Sequence, residues 1–264
     1  MVDNPLLYVA TGLLVGVLVG LTGVGGGSLT TPILVLGFGQ PPTMAVGTDL
    51  VFSAVTKLAA TASYGFNRRV DWRIVGRLAL GSVPGASAVI LWFWLTRREA
   101  PVVDVVVGRA LAWMLLVTGI GLLGQTALQR IGVQVTASSL ARAERFKPAL
   151  TVAVGLALGV TVTMTSVGTG ALGVVALLYL YPIRLTADRL VATDIAHALP
   201  VSIIAGMGHA ALGHVSLPVL GCLLLGSIPG VLIAARTTLR IPPIVTRTLI
   251  ALMLVAVATR MLAA

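Results

Sequence analysis

Apolar runs of membrane-crossing length leave this chain few folds to choose from. The stretches 78–95, 102–123, 219–235 and 244–261 each approach the about 20 residues that an α-helix needs to traverse the hydrocarbon core. In lipid every backbone N–H and C=O must find a partner within the protein, and a helix satisfies them inside the segment itself. Composition agrees. The chain of 264 residues is 57% hydrophobic and only 10% charged, with a mean hydropathy of +1.03, well outside the range of soluble domains.

The net charge of +10 would suggest nucleic acid in a soluble protein. Here the basic residues punctuate the apolar runs instead of forming a basic face, as topology-setting charges do, and a nucleic-acid partner is excluded. The single cysteine, Cys222, lies in an apolar run, so an intrachain disulfide is impossible and a metal cluster is not expected. The start Met1-Val2-Asp3-Asn4-Pro5 lacks the basic region of a signal peptide, so the first apolar segment is expected to be retained.

Two glycine-rich breaks interrupt this pattern. Thr22-Gly23-Val24-Gly25-Gly26-Gly27-Ser28-Leu29 divides the apolar run 5–38, and Thr165-Ser166-Val167-Gly168-Thr169-Gly170-Ala171-Leu172 divides 148–181. Irregular backbone survives at membrane depth only where it is buried in protein or lines a polar cavity. Glycine there lets the chain bend and approach a ligand closely.

The breaks belong to an internal duplication. Leu80-Gly81-Ser82-Val83-Pro84-Gly85 matches Leu225-Gly226-Ser227-Ile228-Pro229-Gly230 at an offset of 145, and Thr48-Asp49-Leu50 matches Thr193-Asp194-Ile195 at the same offset. The breaks themselves match at 143, which implies a two-residue difference in one loop. The expected fold is all-α: a polytopic membrane protein of two repeats, each a broken helical hairpin followed by three full helices. The first repeat, 1–126, holds the broken hairpin 5–38 and helices near 44–64, 74–95 and 102–126. A polar cytoplasmic connector, 127–147, follows. The second repeat, 148–264, holds the hairpin 148–181 and helices near 190–207, 217–235 and 243–262.

Basic residues orient the halves. If each broken segment makes an even number of passes, 13 of the 18 lysines and arginines share one side and four take the other, with Lys57 inside a span. If each crossed once, the split would be nine against eight. The positive-inside rule selects the first arrangement, in which the repeats are inverted and both termini lie outside the cytoplasm. The loop 209–216, which has no lysine or arginine, then opposes its basic counterpart around 68–77.

The chain resembles the sulfite exporter TauE/SafE family of membrane permeases. The resemblance rests on Gly23-Val24-Gly25-Gly26-Gly27 followed by Pro32, on Val46-Gly47-Thr48-Asp49-Leu50 with Thr56-Lys57, on Val70-Asp71-Trp72-Arg73, and on the paired Gly-Ser-Val/Ile-Pro-Gly turns. It implies transport of small anions, sulfite and organosulfur acids among them, across the bacterial inner membrane. The second break lacks the triple glycine of the first, so the two sides of a central site should differ chemically.

Opposed breaks bring two half-helix starts, near Gly27 and Gly170, toward the midplane. Their free N–H groups, with roughly +0.5 charge each, favour an anion between them. The candidate binding residues are Thr22, Gly25, Gly26, Gly27, Ser28, Lys57, Thr165, Ser166, Gly168, Thr169 and Gly170. The competing reading is that the glycines serve close helix packing. Asp49, Ser53, Thr56, Lys57 and Ala60 share one helical face, and Lys57 either contacts the anion or pairs with Asp49 or Asp194. Asp194 and His197, at i,i+3, are candidates for carrying a proton, while Asp49 and Asp194 could equally cap a first helical turn. His209 and His214 are placed in interfacial water, and Trp92, Trp94 and Trp113 against lipid.

The leading expectation is a secondary exporter of a small anion working by alternating access, embedded in the lipid bilayer, with a homodimer compatible. No nucleotide-binding loop appears, so ATP is not its direct energy source, and no cofactor is called for. An intramembrane hydrolase built on Ser53, Ser166, Asp194 and His197 is the enzymatic alternative. A scaffold subunit of a membrane complex is the third reading.

Overall fold

The computed structural model describes residues 4–22, 27–66, 69–96, 100–143, 146–170, 172–181, 185–236 and 243–263. All regular structure among them is helical. In chain order these are α1 (Pro5–Thr22), α2 (Gly27–Pro32), α3 (Pro42–Phe66), α4 (Trp72–Leu95), α5 (Ala100–Ala143), α6 (Lys147–Thr165), α7 (Leu172–Leu180), α8 (Ala187–Ala211), α9 (Leu217–Arg236) and α10 (Pro243–Ala263). Pro32 has no N–H for the helical ladder, and directly after it α2 widens into a π-helical turn over Ile33–Gly37.

Among the described residues, four segments are long and apolar enough to cross a membrane: Trp72–Leu95, Pro101–Gly124, Lys147–Thr165 and Arg189–Ala211. The outer surface is apolar as well. Leu80, Leu225, Trp94 and Trp113 are exposed, while Thr30, Thr31, Asp49, Ser53, Lys57, Asp194 and His197 are buried. Such an apolar exterior around a polar centre suits a protein whose solvent is lipid.

The helix α5 is 44 residues long. At 1.5 Å per residue it spans about 66 Å, roughly twice the hydrocarbon core, so much of it extends past the bilayer. Its backbone stays helical through 127–143, the polar stretch expected as a connector.

The helices of one half pack on those of the other. A side chain at Gly12 or Gly16 of α1 would collide with the backbone of Leu223 or Ser227 in α9, and one at Gly226 or Gly230 with the backbone of Val9 or Leu13. The same contact recurs between α6 and α4. There Gly155 and Gly159 lie against the backbone of Leu78 and Ser82, and Gly81 and Gly85 against that of Val152 and Leu156. Every residue of the second contact is the repeat equivalent of one in the first. Helices in lipid gain nothing from burying apolar surface against each other, so close backbone approach through small residues supplies the packing. Pro84 and Pro229 lie inside uninterrupted helices beside these contacts.

At the centre the equivalent helices α3 and α8 pack on each other and run antiparallel. Gly47 lies against His209 and His214, and Gly206 against Val51. Cys222 is a free thiol packed against the apolar core around Val15 and Leu223.

Enlarging Gly16 or its equivalent Gly159 to leucine is expected to destabilise the fold by about 1–3 kcal/mol or more, because backbone cannot give way as a side chain can. Gly221, whose added Cβ would meet nothing within 4 Å, should tolerate alanine. Thermal unfolding of the purified variants in detergent checks both expectations.

Candidate functional site

The second break is fully defined in backbone. The helix α6 ends at Thr165, and Ser166 caps it in the left-handed region, φ 57°, with its N–H bonded to the Val162 carbonyl. Gly168 and Gly170 follow at φ 134° and 97°, conformations that favour glycine, before α7 begins. A serine at positive φ is costly. Here its hydroxyl donates to Asp49 Oδ2 at 2.6 Å, which holds it in place.

The carboxylate of Asp49 also accepts from Thr31 Oγ1 at 2.7 Å. One side chain of α3 thereby ties the second break to α2, the helix that follows the first. Asp194, its repeat equivalent on α8, accepts the Gly170 N–H through Oδ2 at 2.6 Å. Neither aspartate caps the first turn of its own helix, since α3 starts at Pro42 and α8 at Ala187, about two turns earlier. Asp194 instead serves the start of α7.

The threonine beside each aspartate also bridges the repeats, a role not apparent in the sequence. Thr48 Oγ1 accepts the Ser216 N–H at 3.0 Å, and Thr193 Oγ1 accepts the Asp71 N–H at 3.1 Å. Ser216 and Asp71 are themselves equivalent, one residue before α9 and α4. Asp71 also caps α4 by accepting the Ile74 N–H at 3.3 Å.

Lys57 is buried where α3 crosses α8. Its Nζ donates to Thr169 Oγ1 in the second break at 3.1 Å and to Ser202 Oγ on α8 at 3.3 Å. Ser202 is the repeat equivalent of Lys57. Asp49 and Asp194 lie within electrostatic reach of the ammonium group, but neither forms a contact ion pair with it among the described residues. Ser53 and Thr61, one turn to either side on α3, are buried with hydroxyls that find no partner among the described residues. The polar stripe of α3 is therefore Asp49, Ser53, Lys57 and Thr61. Thr61 was missed, although the i,i+4 spacing points to it, and Thr56 turns back to its own helix at the Phe52 carbonyl, 3.1 Å away.

Other expected residues fall elsewhere. Thr165 spends its hydroxyl within the break, donating to the Thr161 carbonyl at 2.7 Å and accepting the Val167 N–H at 3.2 Å. His197 is buried and bonds Ser82 Oγ of α4 through Nε2 at 3.0 Å, while the Asp194 carboxylate takes the Gly170 N–H. His209 is fully buried, not interfacial: its Nε2 donates to the Thr163 carbonyl at 3.0 Å. It reaches this position because α8 extends to Ala211 and the facing Gly47 leaves room for it. Gly25 and Gly26 of the first break lie outside the described residues, as do the side chains of Thr22 and Ser28. Thr22 ends α1 and Gly27 starts α2.

A buried cation held only by neutral hydroxyls can exchange either of them for an anion. The serine, aspartate and histidine of the hydrolase reading do not come together as one group: Ser166 donates to Asp49, His197 meets Ser82 of α4, and Asp194 takes the Gly170 N–H.

The family model described as sulfite exporter TauE/SafE matches residues 8–261. The chain belongs to the TauE/SafE family. Three Bacillus subtilis relatives carry matching descriptions. The chain is 39% identical over 232 residues to the "Probable membrane transporter protein YjnA", which covers 88% of this chain and 89% of that protein. It is 36% identical over 85 residues to the "Probable membrane transporter protein YunE", covering 32% of this chain and 28% of that one. It is 24% identical over 245 residues to the "Probable membrane transporter protein YdhB", covering 93% and 95%. No solved structure matches the chain. As a TauE/SafE member with several apolar helices, the protein is a multi-pass membrane transporter and not an enzyme.

Replacing Thr48 or Thr193 by valine keeps the shape but removes the acceptor from a buried backbone N–H, at a cost of about 1–3 kcal/mol each. Thermal unfolding should show similar losses for the two variants, because the contacts are equivalent, with serine at either position restoring most of the stability.

Proposed function

We propose that this TauE/SafE protein is a secondary transporter that exports a small anion such as sulfite or an organosulfur acid. The anion binds at the midplane between the two glycine-rich breaks. The observation that carries this reading is Lys57, a buried ammonium group facing the second break whose hydrogen-bond partners among the described residues are hydroxyls. Thr169, Ser166, Gly168 and Gly170 line the site from the second repeat, with Thr165 shaping its backbone. By repeat equivalence Thr22, Gly25, Gly26, Gly27 and Ser28 line it from the first. The substrate class follows the family's description and the cationic, hydroxyl-rich centre.

Transport proceeds by alternating access, the two repeats rocking about the α3–α8 crossing. Inverted repeats are supported by the antiparallel run of the equivalent helices α3 and α8, and by the charge count that puts 13 basic residues on one side. That count supports an orientation with both termini on the non-cytoplasmic side of a bacterial inner membrane.

Purified protein in liposomes, tested for flux of sulfite, sulfonates, carboxylates and halides, is the direct test. Gly26→Leu is expected to abolish flux while folded protein remains in the membrane; normal flux by that variant would remove the first break from the site. Lys57→Met should weaken anion binding at least tenfold, about 1.4 kcal/mol. Unchanged affinity would make Lys57 a structural residue.

A further inference from the structure

The start of α7 already holds an anion, and it belongs to the protein. Asp194 Oδ2 accepts the Gly170 N–H at 2.6 Å, as a bound oxyanion would at a helix N-terminus. The other oxygen, Oδ1, is buried without a hydrogen-bond partner among the described residues. It occupies space that only a glycine at 173 leaves open, because a Cβ there would collide with it. The next residue back along the break, Thr169, accepts from Lys57. The N–H and the ammonium group that would receive a transported anion are thus within one residue of each other, and a carboxylate is seated on the N–H.

Charge makes this arrangement consequential. Asp49, Asp194 and Lys57 carry a formal sum of −1 when ionised, so a further anion would bring the centre to −2 in surroundings of low dielectric. The two aspartates are not held alike. Both leave Oδ1 without a partner among the described residues, but Asp49 Oδ2 accepts hydroxyls from Thr31 and Ser166, whereas Asp194 Oδ2 accepts the Gly170 N–H.

Resting on the anion-transport reading above, we infer that Asp194 is a tethered anion occupying the substrate's seat at the start of α7, and that one proton accompanies each transported anion. In this exchange a proton from water adds to the Asp194 carboxylate, the neutral carboxyl releases the Gly170 N–H, and the substrate accepts that N–H in its place. With a monovalent anion the loaded and empty centres carry the same formal charge, so the step is electroneutral.

The ionisable groups facing Asp194 are few. The helix α3 brings Lys57, whose ammonium group Asp49 also influences, and His197 lies one turn along α8 with its Nε2 on Ser82. Asp71, before α4, meets the neighbouring Thr193 through its backbone. Arg73 of α4 is exposed and Arg77 bonds Tyr181. The helix α7 meets Asp194 with Gly170 and Gly173, its Tyr179 being exposed, and α6 has no ionisable side chain between Pro148 and Thr165.

The test uses the full chain in liposomes loaded with a pH-sensitive dye, with methanesulfonate as the probe. This monoanion has no protonated form near neutral pH, so it cannot carry protons passively as a weak acid. An inward gradient is expected to acidify the lumen by one proton per labelled anion, with little response to an imposed membrane potential. Asp194→Asn keeps an oxygen for the Gly170 N–H but carries no proton; it should lose proton movement at least tenfold while anion flux becomes voltage-driven. Wild-type flux of methanesulfonate that is voltage-driven and moves no protons would overturn the inference and leave anion transport standing. Absence of flux for every anion of the wider panel would instead overturn the transport reading, and the inference with it. Wild-type stoichiometry in Asp194→Asn would likewise refute the inference. If that variant carries no anion, Gly173→Ala decides: its Cβ displaces Oδ1, so methanesulfonate should bind at least threefold tighter at pH 8, and unchanged affinity would count against the tethered anion.

Discussion

Close backbone contact through glycine is the interaction on which the rest of this structure depends. A helix in lipid has no hydrophobic reason to choose a neighbour, so attraction comes from packing at short range. The α1–α9 and α4–α6 contacts both join one repeat to the other, with Gly12, Gly16, Gly155 and Gly159 lying on carbonyl groups of the partner helix. Neither repeat can complete these contacts alone. With both in place, α3 and α8 are forced together at the centre, where Lys57 meets Ser202.

The two halves share a shape and divide the chemistry. Lys57 faces its own equivalent, Ser202, so the centre has one cation and not two. His197 and its partner Ser82 have Phe52 and Ser227 as their equivalents, and Ser227 turns back to its own helix at Leu224. The aspartates diverge as well: Asp49 binds hydroxyls and Asp194 binds backbone. By contrast, the threonine latches of Thr48 and Thr193 are preserved on both sides. Contacts that hold the repeats together remain paired, and those near the centre have drifted apart.

Several of these features were legible before any coordinates. Helices followed from the length of the apolar runs, and the burial of Asp49, Lys57 and Asp194 inside the protein from the cost of placing charge in lipid. The duplicated Gly-Ser-Val/Ile-Pro-Gly motif stands out in the sequence, and its Gly81, Gly85, Gly226 and Gly230 lie against the backbone of a neighbouring helix. Their partners on α1 and α6 went unnoticed, because Gly12 and Gly16 lie in an apolar run where nothing marks them as contacts. In the sequence Thr48 and Thr193 are only part of a motif, since a threonine's bond to a backbone 122 or 168 residues away has no local signature. His209 was misplaced because its burial depends on α4 and α6, which supply Phe93 and the Thr163 carbonyl.

The sequence by itself determined the medium, the secondary structure and the duplication. Hydropathy and backbone hydrogen bonding are local properties, and an internal repeat can be found by comparing the chain with itself. Only the tertiary structure decided which groups meet: Lys57 with Thr169 and Ser202, and Asp49 with Ser166, across the two halves, and Asp194 with Gly170 within the second. These pairs are separated by 24 to 145 residues. Their meeting depends on how the helices cross, which is set by glycine contacts summed over the whole molecule and not by the residues of the site.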